Sequence, residues 1–284
     1  MVSLGPILDH LPAWLMVLFR LTGIFLLAPV FGSRTIPRTV KVFLVVSISL
    51  CVYPMLMGKG DAAAASLAGI IGTDEAGRTT LSLWNMLPIV AVELLMGYVI
   101  GYCASLPLIG LQIGGQVIDQ QMGIAAGGVF NPDLDAELGV IGQLYFISGL
   151  AVFLIIGGHH AVLLTIVGSF ENIPIGGFAS ISGESGGAGM GMNAALALVV
   201  GLLDVMFEMA IRVAMPLLCI LFLLRVAMGF IGRTVPQMNI LSVGFIFYIL
   251  AGAVVLIVGA ATTLGVFRQT MQETLQHIMS VFTM

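Results

Sequence analysis

The sequence predicts an all-α fold: a hydrophobic helical subunit of a membrane complex, with about six hydrophobic helical segments, some of them bent or hairpin-like. Three observations carry this expectation. The 284-residue chain is 59% hydrophobic and only 8% charged, whereas an ordinary soluble domain carries about 25% charged residues. Its apolar residues gather in runs near 11–31, 40–57, 87–106, 138–167, 194–224 and 240–267, and a membrane span takes about 20 such residues. The runs are hydrophobic all round, which suits helices surrounded by lipid or by other apolar helices. The whole of residues 1–284 reads as one domain.

Taken in order, the first segment contains Arg20 and follows a stretch, 1–10, without a positive charge. It reads as a retained span rather than a cleaved signal. The connection after it is basic, with Arg34 and Arg38 followed by Lys41, whereas residues 58–86 are mixed and rich in small side chains. The fourth and fifth segments are longer than a span needs, and both are interrupted. Gly157-Gly158-His159-His160 breaks the fourth, and Asp204, Glu208, Arg212 and Pro216 fall inside the fifth. Such segments predict bent or hairpin helices. Residues 170–193 form a Gly-rich connection, and residues 232–239 carry Arg233. Placing Arg34, Arg38, Lys41 and Arg233 in the cytoplasm gives a six-span weave with both termini on the other side.

Residues 110–132, GLQIGGQVIDQQMGIAAGGVFNP, are rich in Gly and amides and carry one charge, Asp119, before the acidic run that follows. Gly97 and Gly101, Gly110 and Gly114, and Gly123 and Gly127 are each four apart. On a helix this spacing lines small residues along one face and lets another backbone approach closely. In a loop the same glycines permit conformations closed to other residues. A polar, Gly-studded insert in an apolar chain points to a conduit lining, a gate or a tight helix contact.

Charges at membrane depth must face protein or water and find partners. These are Arg20, Glu93, Asp204, Glu208 and Arg212, and Glu93 is a candidate partner for Arg20. Asp204, Glu208 and Arg212 follow one another at intervals of four on one helix face, with Glu208 and Arg212 in the favourable order for an intrahelical pair. The stripe reads either as part of an ion path or as ion pairs that lock the subunit to its neighbours. The latter is favoured, because no second carboxylate-bearing segment offers a relay.

Other patterns carry less. His159 and His160 lack a third ligand at metal spacing, and read as imidazoles beside a helix bend. Asn131 through Glu137 alternates acidic residues, but lacks the glycine and terminal glutamate of a calcium loop. It reads as a helix start, with Asn131 as N-cap and Pro132 in the first turn. The glycines of 183–191 have no Lys-Ser/Thr after them, so they form no phosphate cradle. Cys51, Cys103 and Cys219 are isolated and read as small buried hydrophobes. Net charge is −4 with no basic block, so nucleic-acid binding has no support. No nucleophile elbow or zinc-protease helix is present; no catalytic residue, metal or cofactor is expected.

Several ordered stretches resemble the FliR family of type III secretion export-gate proteins. They are RLTGIFLLAPVFGSR from Arg20 to Arg34 with Ile36-Pro37-Arg38, and Gly115-Gln116-Val-Ile-Asp119-Gln-Gln-Met122-Gly123 leading through Gly128-Val-Phe130 to Asn131-Pro132. Gly158-His159-His160 through Ser169-Phe170-Glu171 to Pro174-Ile-Gly176 is similar too, as is Gly232-Arg233 with Pro236-Gln237-Met238-Asn239. The last stretch leans toward the flagellar branch rather than the virulence branch.

The resemblance implies a non-enzymatic subunit of the flagellar type III protein export gate in the bacterial inner (plasma) membrane, within the flagellar basal body. One copy would complete a helical, ring-like assembly with FliP and FliQ, whose entrance FlhB wraps. Unfolded flagellar subunits would be the substrates in transit. It further implies that partners hold much of the subunit above the bilayer plane, so that contact with membrane lipid is partial. The loop equivalent to residues 110–122 would plug the resting channel. Here that stretch carries Gly110, Gln112, Gly114, Gly115, Gln116, Asp119, Gln120, Gln121 and Met122. A stand-alone secondary transporter is the alternative that interrupted helices and intramembrane charges allow.

Overall fold

The computed structural model describes residues 5–33, 36–57, 71–73, 79–81, 83–124, 139–173, 187–234 and 240–283. Helices dominate, as the composition requires: α1 (Gly5–Leu27), α2 (Arg38–Met57), α3 (Leu83–Met122), α4 (Val140–Ile155), α5 (Gly158–Asn172), α6 (Gly187–Thr234) and α7 (Ile240–Thr283). One small feature was not anticipated. Strands β1 (Ile71–Thr73) and β2 (Thr79–Leu81) pair antiparallel, with Ile71 opposite Leu81 and Thr73 opposite Thr79.

The helix ends follow local chemistry. Beyond Leu27 the chain turns through Pro29, with Val30 at φ 72° and a bond from the Gly32 N–H to the Ala28 carbonyl (2.8 Å). A β-branched residue at positive φ is strained, so the surrounding turn must hold it there. α2 starts behind Pro37, whose carbonyl accepts from the N–H groups of Val40 and Lys41 at 3.0 and 3.2 Å. The Tyr53 hydroxyl and His10 Nδ1 are hydrogen-bonded at 2.9 Å, joining the start of α1 to the end of α2.

Three segment boundaries differ from the sequence expectation, each for a physical reason. Residues 110–122 are not a loop; they complete the 40-residue helix α3. The fifth segment is not broken, because α6 continues through Pro216 for 48 residues. A proline removes one N–H and one ladder bond, and long flanking helix absorbs the loss. The sixth segment does not stop near residue 267. Phe267, Met271, Thr274, Leu275, Ile278 and Phe282 are buried, and their three-to-four spacing carries an amphipathic stripe onward among polar neighbours. The fourth segment behaves as expected. α4 and α5 are bent by 65° at a break where Gly157 takes φ 73°, a conformation that glycine reaches without steric strain.

The chain divides into two compact units. One comprises Met1–Ser105, Gly157–Gly201 and Thr274–Met284; the other comprises Leu106–Ile156 and Leu202–Glu273. In the first, α1 and α3 approach to backbone contact. A Cβ added at Gly97 would run into the Arg20 carbonyl, one at Gly23 into the Leu94 carbonyl, and one at Gly101 would lie 3.0 Å from the Ile24 carbonyl. In the second, Leu108, Leu111 and Ile118 of α3 are buried, as are Met206, Met209 and Leu217 of α6 and Phe267 and Met271 of α7.

Five described helices are long and apolar enough to cross a membrane, and the bent pair raises the number to six. Half of the α1 window and 56% of the α3 window are buried within the protein, against 17%, 22% and 11% for α2, α6 and α7. The last three therefore present their apolar sides outward, to lipid or to other proteins. Their lengths matter as well. At about 1.5 Å per residue, the 48 residues of α6 extend well beyond the roughly 30 Å of a hydrocarbon core.

The α1–α3 contact yields a test. Gly97→Ala forces these backbones apart, and overpacking of this kind costs about 1–3 kcal/mol. The expected outcome is a lower thermal midpoint of the detergent-solubilised protein, whereas Ala at Gly259, where an added Cβ meets nothing within 4 Å, leaves the midpoint in place.

Candidate functional site

The structure gathers the sequence-predicted charges and the Gly-rich stretch into three separate arrangements. The first is a buried ion pair. Arg20 of α1 is 0% exposed and Glu93 of α3 is 2% exposed, with Arg20 Nε 2.5 Å from Glu93 Oε2. Arg20 Nη1 donates to the Ser169 hydroxyl (3.3 Å) and to the Ile173 carbonyl (3.2 Å), and the guanidinium stands 4.2 Å from the centre of the Phe170 ring. One cation thereby ties α1 to α3 and to the end of α5. Taking two charges out of water is costly unless geometry and further hydrogen bonds compensate, and the planar guanidinium supplies donors in fixed directions. The pairing of Glu93 with Arg20 is thus as the sequence suggested, and its surroundings make it a clamp between helices.

The second arrangement is the Gly-rich end of α3. An added Cβ at Gly110 would lie 2.5 Å from the Met206 carbonyl, at Gly114 2.9 Å from the Ala210 carbonyl, and at Gly115 2.6 Å from the Gly142 Cα. Gly110 and Gly114 thus seat this end of α3 against α6, and Gly115 seats it against α4. Of the two readings open for these glycines, close helix approach is the one realised. Gln112, Gln116 and Gln121 are partly exposed and Gln120 is exposed.

Asp119, only 1% exposed, is not a free lining charge. Its carboxylate accepts from the backbone N–H of Ile141 (3.2 and 3.1 Å) and of Gly142 (3.0 Å), the second and third residues of α4. A negative charge at a helix N-terminus satisfies orphan donors and complements the dipole. The carboxylate lies so close over Gly139 that no Cβ fits there.

α3 ends at a glycine turn. Gly123 has φ 81°, its N–H bonds the Gln120 carbonyl, and the Ile124 N–H bonds the Asp119 carbonyl, both at 3.2 Å. The Gln121 carbonyl is taken from another helix: Arg225 Nη2 of α6 donates to it at 2.8 Å. The same guanidinium lies 5.6 Å from the centre of the Tyr248 ring of α7. Met122 is buried, with its side chain against Gly252. Sequence reasoning missed Arg225. The available signal was a lone cation within the apolar run of α6, a position that demands a partner.

The third arrangement is the stripe on α6. Arg212 Nη2 bonds Glu208 Oε1 at 2.6 Å, with both side chains 59% exposed. Asp204 is exposed one turn earlier, and exposed Val200, Phe207, Ile211 and Met215 flank the three charges. The helical spacing read from sequence therefore holds, and the stripe faces outward from the protein.

The remaining patterns are minor. The His159 and His160 rings lie 4.8 Å apart beside the bend at Gly157. No group of three His, Cys, Asp or Glu residues able to hold a metal occurs among the described residues. Cys103 is buried as expected, but Cys51 and Cys219 are exposed, because their faces of α2 and α6 point outward. The expected helix start at Asn131–Glu137, Arg34, the Pro236–Asn239 stretch and the glycines of 183–186 lie outside the described residues.

Comparison with known proteins adds a second line of observation. The profile of the bacterial export proteins, family 1, matches residues 11–274. The flagellar biosynthetic protein FliR of Bacillus subtilis is 25% identical over 281 residues, 99% of this chain and 98% of that protein. FliR of Escherichia coli is 25% identical over 228 residues, 80% of this chain and 76% of that protein. The secretion system apparatus protein SsaT of Salmonella typhimurium is 23% identical over 157 residues, 55% of this chain and 57% of that protein.

The Arg20–Glu93 clamp makes a double-mutant prediction. Arg20→Met alone leaves a buried carboxylate without its cation and costs about 3–5 kcal/mol. Arg20→Met combined with Glu93→Leu recovers much of the loss, as read from the thermal midpoints of wild type, both single variants and the double variant.

Proposed function

Because this chain belongs to the bacterial export proteins, family 1, we propose that it is the FliR-type subunit of a flagellar type III protein export gate. At the coarser level it is a membrane component of a flagellar or type III export apparatus, as its FliR and SsaT relatives indicate. The finer reading gives one copy of this chain to a gate built with FliP and FliQ and engaged by FlhB in the bacterial inner membrane. Unfolded flagellar subunits pass through that gate, and this chain performs no catalysis. The carrying observation is the extent of the match, which runs from residue 11 to residue 274.

The surface chemistry supports an obligate assembly. α2, α6 and α7 turn large apolar side chains outward, including Phe43 (74% exposed), Phe222 (66%) and Ile257 (78%). Lipid alone could accept such side chains, but it does not accept the exposed Asp204, Glu208 and Arg212 among them. These three are assembly contacts to neighbouring subunits. A stand-alone transporter would instead turn its charges inward around a substrate site.

Co-expression with FliP and FliQ, followed by native mass spectrometry in mild detergent, tests the assembly. A discrete complex with one copy of this chain is the expected outcome, and Asp204→Ala lowers its yield. A stable, partner-free monomer would overturn the reading. An intact complex that has lost export through Glu208→Gln would move the stripe from assembly to transport.

Within the gate, residues 110–122 seal the resting passage, now understood as a helix end rather than a loop. Gly110, Gly114 and Gly115 seat it, and the glutamines offer polar groups without a fixed charge. Removing one turn, residues 111–114, is expected to raise potassium efflux several-fold in cells that still assemble the complex. Unchanged efflux with the complex assembled would sink the sealing role.

A further inference from the structure

We infer that Arg225 is the latch that holds the sealing end of α3 in place, a positioning residue for the gate. The inference rests on the reading of residues 110–122 as the closing element. The last carbonyls of a helix have no partner within it. At the end of α3, the glycine turn takes two of them, Asp119 from the Ile124 N–H and Gln120 from the Gly123 N–H, the paired bonds of a Schellman turn. The Gln121 carbonyl lies outside that pair, and the guanidinium of Arg225 reaches across from α6 to take it at 2.8 Å.

Three features fit a latch better than general packing. A cation beside a helix C-terminus is favoured by the dipole, so the bond strengthens where the helix ends and is lost as a unit if that end withdraws. Arg225 is an exposed residue inside a candidate membrane span, a position unfavourable for a cation without a partner. It is also steadied by the Tyr248 ring at 5.6 Å, so α6 and α7 both act on the end of α3 through one side chain. Asp119 restrains the same helix end by holding the first N–H groups of α4. That contact is buried, whereas the Arg225 contact is exposed and can be released without opening the core.

The test uses cells carrying the complete export apparatus. Arg225→Ala is expected to raise potassium efflux several-fold while the amount of assembled complex stays at the wild-type level. Arg225→Lys, which keeps the charge and a donor, returns efflux toward wild type; a merely structural role would lower the amount of complex instead. Unchanged efflux in an assembled Arg225→Ala complex overturns the latch. Should Arg225→Ala fail to assemble, Tyr248→Leu decides: it leaves the cation in place and removes the ring beside it. Raised efflux supports the latch, and unchanged efflux overturns it. Removal of residues 111–114 separates the two ideas. Leakage there without leakage in Arg225→Ala sinks the latch alone, and leakage in neither sinks the sealing role beneath it.

Discussion

Arg20 carries a full positive charge where no water reaches it, and the surrounding helices are arranged to make that tolerable. The glycines at 23, 97 and 101 bring α1 and α3 to backbone contact, and across that contact the guanidinium pairs with Glu93. The turn of α5 that bears Ser169 and Phe170, with the carbonyl of Ile173 beyond it, serves Nη1 and one face of the guanidinium, while Nη2 is buried without a hydrogen-bond partner among the described residues. In a chain this apolar, side-chain packing alone discriminates poorly between one helix register and another. A buried ion pair discriminates sharply, because a slip of one residue would strand two charges. Glycine contact and ion pair are therefore one device: the first permits the approach and the second selects its register.

Charge is used differently where helices end. The Asp119 carboxylate faces the N-terminus of α4, and the Arg225 guanidinium faces the C-terminus of α3. Each sign matches the partial charge of the terminus it meets. These contacts satisfy backbone groups that have no partner within their own helices. They also concentrate directional bonding on the short stretch that carries the amide side chains.

The outward faces of α2, α6 and α7 give the complementary picture. Their apolar residues are indifferent between lipid and protein, since both environments are dry. The Asp204–Glu208–Arg212 stripe is not indifferent, and it marks the part of α6 that needs polar company. The extra length of α7 is used differently: beyond Phe267 its stripe is buried within the protein itself, among polar neighbours.

Much of this was legible in the sequence. Composition and run length determined an all-helical membrane protein, because helices alone satisfy their own backbones in long apolar stretches. The break at Gly157 and the shared face of Asp204, Glu208 and Arg212 followed from local rules, whereas Glu93 was only a candidate partner for Arg20 until packing joined residues 73 apart. Residues 110–122 show where such rules stop. Glycines four apart permit either a loop or a close helix crossing, and only the neighbouring backbones of Met206, Ala210 and Gly142 decide for the helix. The continuation of α7 past Phe267 depended likewise on neighbours that bury Met271 and, farther on, Phe282. Arg225 stood out only as a lone cation in an apolar run; its partner was invisible because it is a main-chain carbonyl 104 residues away, and carbonyls have no signature in a sequence. The sequence by itself determined the kind of environment each segment needs; the tertiary structure alone decided which backbone meets which, because close approach is a property of pairs of segments and not of either one.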